Sequence, residues 1–203
     1  MSRNIGQKPI AERFDHLIKV VSSQRFLKME GIGNEVPFFI CDYNPSESVE
    51  MTKMQRQLAN RLNQQGVQIL EINLYDLSIA ILKKGGDWDW YLTEEANMPK
   101  IKLLEDLQSM LDVETVLVPA IASRMAHEAF DALFISGVGE VFPFIRSHNV
   151  LNNLQKAAKR QPTLMFFPGS YSHSMESGAS LELFSRLHDD KYYRAFNIYD
   201  YQV

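Results

Sequence analysis

Ala132-Leu-Phe-Ile-Ser-Gly-Val-Gly-Glu-Val-Phe-Pro-Phe-Ile-Arg-Ser-His-Asn-Val-Leu-Asn-Asn-Leu154 is the stretch whose reading decides the fold. It opens with an apolar run, Ala132 to Ile135, and turns through Ser136, Gly137, Val138, Gly139 and Glu140. Phe144, Ile145, Val150, Leu151 and Leu154 then follow a helical pattern. A buried parallel strand reads as a short continuous apolar run, and the helix behind it restores the 3.6-residue period. The stretch is therefore a strand–turn–helix unit with glycines at its sharp turn. In open α/β sheets, ligands and partners gather at the carboxyl ends of strands, where Ser136 to Glu140 should lie.

Working outward, the same alternation recurs. Residues 1–9 read as a loose tail, Ile10 to Lys28 as a helix and Met29 to Asn34 as a break. Val36-Pro-Phe-Phe-Ile-Cys-Asp-Tyr43 is the first strand, with Pro37 at its start. Asn44 caps a following helix, with Pro45 at its first position and Glu47 three residues on; Gly66 ends it. Val67 to Asn73 is the second strand, and Leu74 to Lys84 a short helix stopped by Gly85-Gly86. Asp87-Trp-Asp-Trp-Tyr-Leu92 has no clear period and reads as a loop joining two helices, with Trp88 and Trp90 as core plugs or interface anchors.

Met98-Pro99 starts a helix through Leu111. A second runs from about Glu114 to His127, with Pro119 tolerated in its first turns. Thr163 to Phe167 is the fourth strand, Pro168-Gly-Ser-Tyr-Ser-His173 a turn, and Ala179 to Leu187 a helix. Asp189-Asp190 is a turn, and Tyr193 to Tyr199 the fifth strand. This order predicts a single α/β domain over residues 1–203. Its sheet is mainly parallel and five-stranded, with helices on both faces, resembling a P-loop-type core without a Walker A motif. Glu71-Ile-Asn-Leu-Tyr-Asp76 echoes Ala195-Phe-Asn-Ile-Tyr-Asp200, one edge chemistry used twice.

Composition narrows the function. A net charge of −4 and a pI near 5.7 argue against a chain whose main task is neutralising phosphates. Lys156, Lys159 and Arg160 on one helix and Arg56 and Arg61 on another read as solvated faces. Cys41 is the one cysteine, so neither an internal disulfide nor a multi-thiolate metal site can form, which fits a reducing cytoplasm. No apolar run reaches the roughly 20 residues of a membrane span, and residues 1–9 lack the apolar centre of a signal peptide.

Phosphate chemistry is missing. The chain has no Gly-Lys dipeptide, the place after the first strand holds Cys41-Asp-Tyr-Asn-Pro-Ser46, and the third strand ends in Ser136 rather than a metal-binding aspartate. Gly137-Val-Gly139 lacks the third glycine of a dinucleotide fingerprint, since Phe142 stands there. Ser170 and His173 lie three residues apart in a turn, with no orienting acid. Asp42, Glu140 and Asp200 fall near strand ends and could form an acidic site, though such acids more often accept hydrogen bonds from turn amides. The sequence assigns no catalytic residue, cofactor-binding residue, cofactor or metal.

Val36 to Pro45, Leu70 to Asp76, Phe134 to Arg146 with Asn149 to Leu154, and Phe166-Phe-Pro-Gly-Ser-Tyr171 resemble the BrxB family. The resemblance runs from about Val36 to Tyr201, and its most specific motif is Gly137-Val-Gly-Glu-Val-Phe-Pro-Phe-Ile-Arg146. It implies a place in a BREX bacteriophage-defence system, beside a methyltransferase, a large AAA-type ATPase and the phosphatase-like protein PglZ, with PglZ as the direct partner. It carries over no catalytic residues. The expected function is thus a non-enzymatic interaction component. A nucleotide- or metal-responsive switch and a nucleic-acid-binding accessory stand as alternatives. Candidate partner-binding or architectural residues are Ser136, Gly137, Gly139, Glu140, Arg146, Pro168, Gly169, Tyr171, Asn197, Tyr199, Trp88 and Trp90.

Overall fold

The computed structural model describes residues 5–30, 37–174, 178–188 and 195–203. In chain order its helices are α1 (Ile10–Val21), α2 (Gln24–Leu27), α3 (Ser48–Gln64), α4 (Leu74–Gly85), α5 (Trp88–Glu94), α6 (Lys100–Met110), α7 (Val118–His127) and α8 (Ser147–Leu154). The strands are β1 (Phe38–Tyr43), β2 (Ile69–Asn73), β3 (Ala132–Ser136), β4 (Thr163–Ser174), β5 (Gly178–Leu183), β6 (Leu187–His188) and β7 (Phe196–Asn197). Five of them form a parallel sheet in the order β2-β3-β4-β1-β7. β5 and β6 add antiparallel pairs beyond the carboxyl end of β4.

Strand periodicity sorts the core into two layers. Phe38 and Ile40 of β1 pack with Leu133 and Ile135 of β3 under α4, α7 and α8. Phe39 and Cys41 point the other way, with Phe134 and Phe166, under α1 and α3. Helices therefore cover both faces, as a parallel sheet requires. Phe39 and Phe134 are wholly buried, and burying a side chain of that size is worth about 1.5–3 kcal/mol.

The strand–turn–helix reading holds for β3, but the helix behind it starts later. Phe144 and Ile145 lie in a turn after the cis Phe142–Pro143 peptide, and α8 begins at Ser147. The helix expected over residues 10–28 breaks in two. Ser22 and Ser23 turn their hydroxyls back onto the carbonyls of Ile18 and Val20, and Ser23 Oγ accepts the Phe26 amide at 3.1 Å as a new cap. Of the segment Asp87–Leu92, Trp88 onward is helical rather than a loop and opens α5, with Asp87 at its N-cap. Pro119 sits in the first turn of α7, behind a π-helical turn at Val113–Leu117.

The largest departure is at the end of the chain. Pro168 to His173 is not a turn, and Ala179 to Leu187 is not a helix. β4 runs on through Pro168, exchanging β3 for β5, with Gly169 opposite Leu183 and Ser170 opposite Glu182. Leu181 and Leu183 are buried and Glu182 half-buried, so the segment has the two-residue period of a strand. The fifth parallel strand is short, Phe196–Asn197, and passes into a 3-10 turn at Ile198–Asp200. Residues 1–4, Gly31 to Val36, Asp189-Asp190 and the expected strand start at Tyr193-Arg194 lie outside the described residues. Ile5–Gln7 form a 3-10 turn.

Candidate functional site

Three of the parallel strands end in the same chemistry. β1 runs into Asn44, whose Oδ1 accepts the Ser46 amide at 3.0 Å. β2 ends in Asn73, whose Oδ1 accepts the amides of Tyr75 at 2.9 Å and Asp76 at 3.2 Å and so caps α4. β7 ends in Asn197, which accepts the Tyr199 amide at 2.9 Å. The echo between residues 71–76 and 195–200 is thus a repeated cap. Gly137 leans on the second of these. Its φ is +76°, and a Cβ there would collide with Asn73 Oδ1 and lie 3.0 Å from the Leu74 amide. Gly139 has a different reason: a Cβ would sit 3.1 Å from both Phe184 and Pro168.

The loop after β1 is where a nucleotide-binding protein would hold phosphate. Here Pro45 has no amide hydrogen, and Asn44 already occupies the Ser46 N–H. Glu47 adds a carboxylate, held at 2.8 Å by Arg13, which is only 1% exposed. An anion at this helix start would meet that carboxylate rather than free donors.

Beside this loop an open cleft of about 540 Å³ lies along the carboxyl ends of β2 and β3. Tyr43, Ser136, Gly137 and Phe166 line its sheet side, with Arg56 of α3 and Asp76 of α4 on the walls. Arg124 of α7 also lines it, tied to Glu128 at 2.9 Å and to the Glu71 carbonyl at 3.2 Å. Glu71, Asp76 and Glu140 face Arg56 and Arg124, so both signs of charge are present. Partial burial raises the Glu71 carboxyl above its ordinary value, against the pull of Arg56. Burial, helped by the charge of Glu140, pushes the Tyr43 phenol up to about 12. Tyr43 is therefore a neutral donor at physiological pH.

A second cluster joins β1, β4 and β7. Asp42 Oδ2 accepts the Tyr171 amide at 3.0 Å, and Oδ1 accepts Asn197 Nδ2 at 3.1 Å. Tyr171 Oη donates to the Ala195 carbonyl at 2.5 Å. Cys41 Sγ lies 3.2 Å from Tyr199 Oη. Burial raises the Asp42 carboxyl despite these donors, and pushes the Cys41 thiol up to about 12. Burial raises the Tyr199 phenol as well. A thiol so placed is not a nucleophile at neutral pH.

The candidate residues therefore separate. Ser136, Gly137 and Glu140 share the cleft; Tyr171, Asn197 and Tyr199 lock strands together, the two tyrosines being buried. Pro168 and Gly169 lie inside β4, and Ser170 Oγ donates to Glu182 at 3.4 Å. The side chain of His173 lies outside the described residues. Arg146 borders a small apolar dent with Phe142, Leu183 and Leu187. Trp88 is half-buried under the Lys83 ammonium at 5.5 Å, whereas Trp90 is 51% exposed. Among the described residues no three His, Cys, Asp or Glu side chains are grouped to hold a metal ion, so Asp42, Glu140 and Asp200 do not form the acidic site their positions allowed. Lys156 is 3.7 Å from Glu114. Asn73, Arg56, Glu71 and Arg124 were not singled out as a site from the sequence; the repeated Asn-x-Tyr-Asp pattern was the signal for the first.

Fold and strand-end chemistry together define an α/β protein with a parallel sheet, whose caps and polar junctions fill the loop at which related layouts hold phosphate. The model of the family described as BREX protein BrxB matches residues 70–198. A BREX protein BrxB of Bacillus cereus (strain H3081.97) is 35% identical over 199 residues, covering 94% of this chain and 98% of that protein. Another, from Escherichia coli O9:H4 (strain HS), is 27% identical over 191 residues, covering 94% of this chain and 92% of that one. The chain belongs to the BrxB family, and with it to the proteins of BREX systems. No solved structure matches it significantly. Among the described residues no helix is long and apolar enough to cross a membrane.

Proposed function

We propose that this chain is a non-catalytic component of a BREX bacteriophage-defence system that works by binding another protein of the system, PglZ. The observation that carries the reading is the use made of the strand-end polar groups. Asp42, Tyr171, Asn197, Cys41 and Tyr199 are spent on each other and on backbone. Catalytic groups are held with their reactive atoms free toward a substrate and their pKa values matched to the task. Here the thiol and phenols are held protonated. Gel filtration and titration calorimetry of the two purified proteins test the reading. A co-eluting complex with a measurable heat of mixing is expected; separate elution at micromolar concentration with no heat ends the partner claim.

The cleft beside Ser136 favours one competing reading, a ligand-responsive switch. Its volume of about 540 Å³ is that of a small-molecule site. A ligand at 100 times its dissociation constant would add about 2.7 kcal/mol to stability. Thermal denaturation with and without nucleotides and magnesium should show no shift of that size.

A further inference from the structure

The helix α5 is short, with an apolar arc wider than its buried side and Asp89 and Thr93 on the outward edge. Trp88, Trp90, Tyr91 and Leu92 fall within its seven residues. At about 100° per residue, Tyr91 faces the core, and Trp90 and Leu92 project from its two flanks. Tyr91 is 7% exposed, whereas Trp90 is 51% and Leu92 60% exposed. Trp90 and Leu92 thus extend the apolar arc beyond the side that Tyr91 buries. Trp90 makes a T-shaped contact with Tyr91, centroids 5.0 Å apart, and stays half exposed. Tyr91 is fixed in turn by its hydroxyl, 3.0 Å from Met110 Sδ. Tryptophan is among the side chains enriched at the energetic centres of interfaces.

Charge decides what can cover it. Asp87, Asp89, Glu94 and Glu95 lie in or beside α5, with no lysine or arginine from Asp87 through Met98; the Lys83 ammonium, 5.5 Å over the Trp88 ring, is a cation set against the helix, and the acids outnumber it. Asp89 is on the outward edge between the two apolar flanks. A second copy docked face to face would set these carboxylates against each other. Nucleic acid and an anionic lipid surface are repelled in the same way. A protein groove with an apolar floor and a lysine- or arginine-bearing rim suits both the rings and the acids.

We propose that α5 is the docking element of this protein, with Trp90 and Leu92 as anchors in an apolar groove rimmed by basic side chains on the partner. The inference rests on the partner reading above and adds the surface. Its test uses the full chain and purified PglZ, with W90A/L92A, D89K/E94K and, as a control at the cleft, R56A. Both substituted anchors are exposed, so circular dichroism of W90A/L92A should match the parent. Binding by W90A/L92A is expected to weaken roughly 30-fold or more. D89K/E94K should weaken binding and flatten its salt dependence, and R56A should bind like the parent. If the parent binds PglZ and W90A/L92A binds equally well, α5 is not the docking element and the partner reading stands alone. If D89K/E94K binds with unchanged affinity and salt dependence, the basic rim is wrong. Self-association of the parent that W90A/L92A abolishes would assign the surface to a second copy and overturn the proposal. If the parent shows no binding to PglZ at all, the partner reading falls and this inference falls with it.

Discussion

The strand-end junction around Asp42 and the helix α5 handle their side chains in opposite ways. At the junction, polar groups are buried or half-buried and matched: Asp42 takes two donors, and Tyr171 and Tyr199 reach Ala195 and Cys41. On α5, apolar groups are exposed and unmatched, with Trp90 and Leu92 more than half open. The junction's polar groups are already engaged with one another, and α5 has little to lose when a partner arrives. Residues that look chemical here hold the fold together, and residues that look like core filling lie at the surface.

Substitutions can break or sharpen that contrast. The largest effect is expected at Tyr199, 4% exposed between Cys41 and the α1 layer. Tyr199→Ala should cost about 3–5 kcal/mol in urea unfolding; a cost under about 1 kcal/mol would mean the junction is not the rigid end of the molecule. Asp42→Ala strands the Tyr171 amide and Asn197, and should cost about 1–3 kcal/mol.

Acidity gives that site a signature. Its folded carboxyl lies above the ordinary 3.8, so the native state keeps a proton that the unfolded chain has lost. This contribution is complete below the unfolded pKa and disappears as pH rises through the folded one. The stability of the parent relative to Asp42→Asn should therefore climb as pH falls from neutrality toward 3.8. A difference independent of pH over that window would contradict the direction of the shift.

Asn73→Ala removes the cap of α4 and should cost about 1 kcal/mol, less than Asp42→Ala because the freed amides can reach water. At the far end of the scale, Trp90→Ala should alter stability by no more than about 0.5 kcal/mol. A loss of several kcal/mol would place Trp90 in the core and remove the contrast altogether.

The parallel sheet was legible because Ala132 to Ile135 and Phe38 to Cys41 are continuous apolar runs, a pattern that burial on both faces imposes. The Asn44 cap was legible too, since Asn before Pro and a helix start has one common purpose, whereas the caps at Asn73 and Asn197 showed only as a repeated Asn-x-Tyr-Asp pattern. The hairpin was not. Ala179 to Leu187 is short enough for its apolar residues to suit either period, and its pairing with an extended β4 depends on a strand that seemed to stop at Pro168. α5 was missed for a related reason: seven residues, with Trp and Asp alternating at the start, are too few to show a helical period. The cleft was half visible. Ser136, Gly137 and Glu140 announce a strand end, but Arg56, Glu71 and Arg124 join them through a crossover that no local pattern reveals.

The strand order carries a consequence for how the molecule forms. β1 has β4 on one side and β7 on the other, so its ladder partners begin at Thr163. During synthesis β1 leaves the ribosome long before either neighbour exists, with Phe39 and Ile40 lacking a hydrogen-bonded place to lie. β2 and β3 are the earliest strands in the chain able to pair with each other. A chain cut just before Thr163 would keep that pair and leave β1 bare along both edges. Pairings between such distant segments make folding slow and expose apolar strands to aggregation meanwhile. Loss of the last strands should therefore undo the first one.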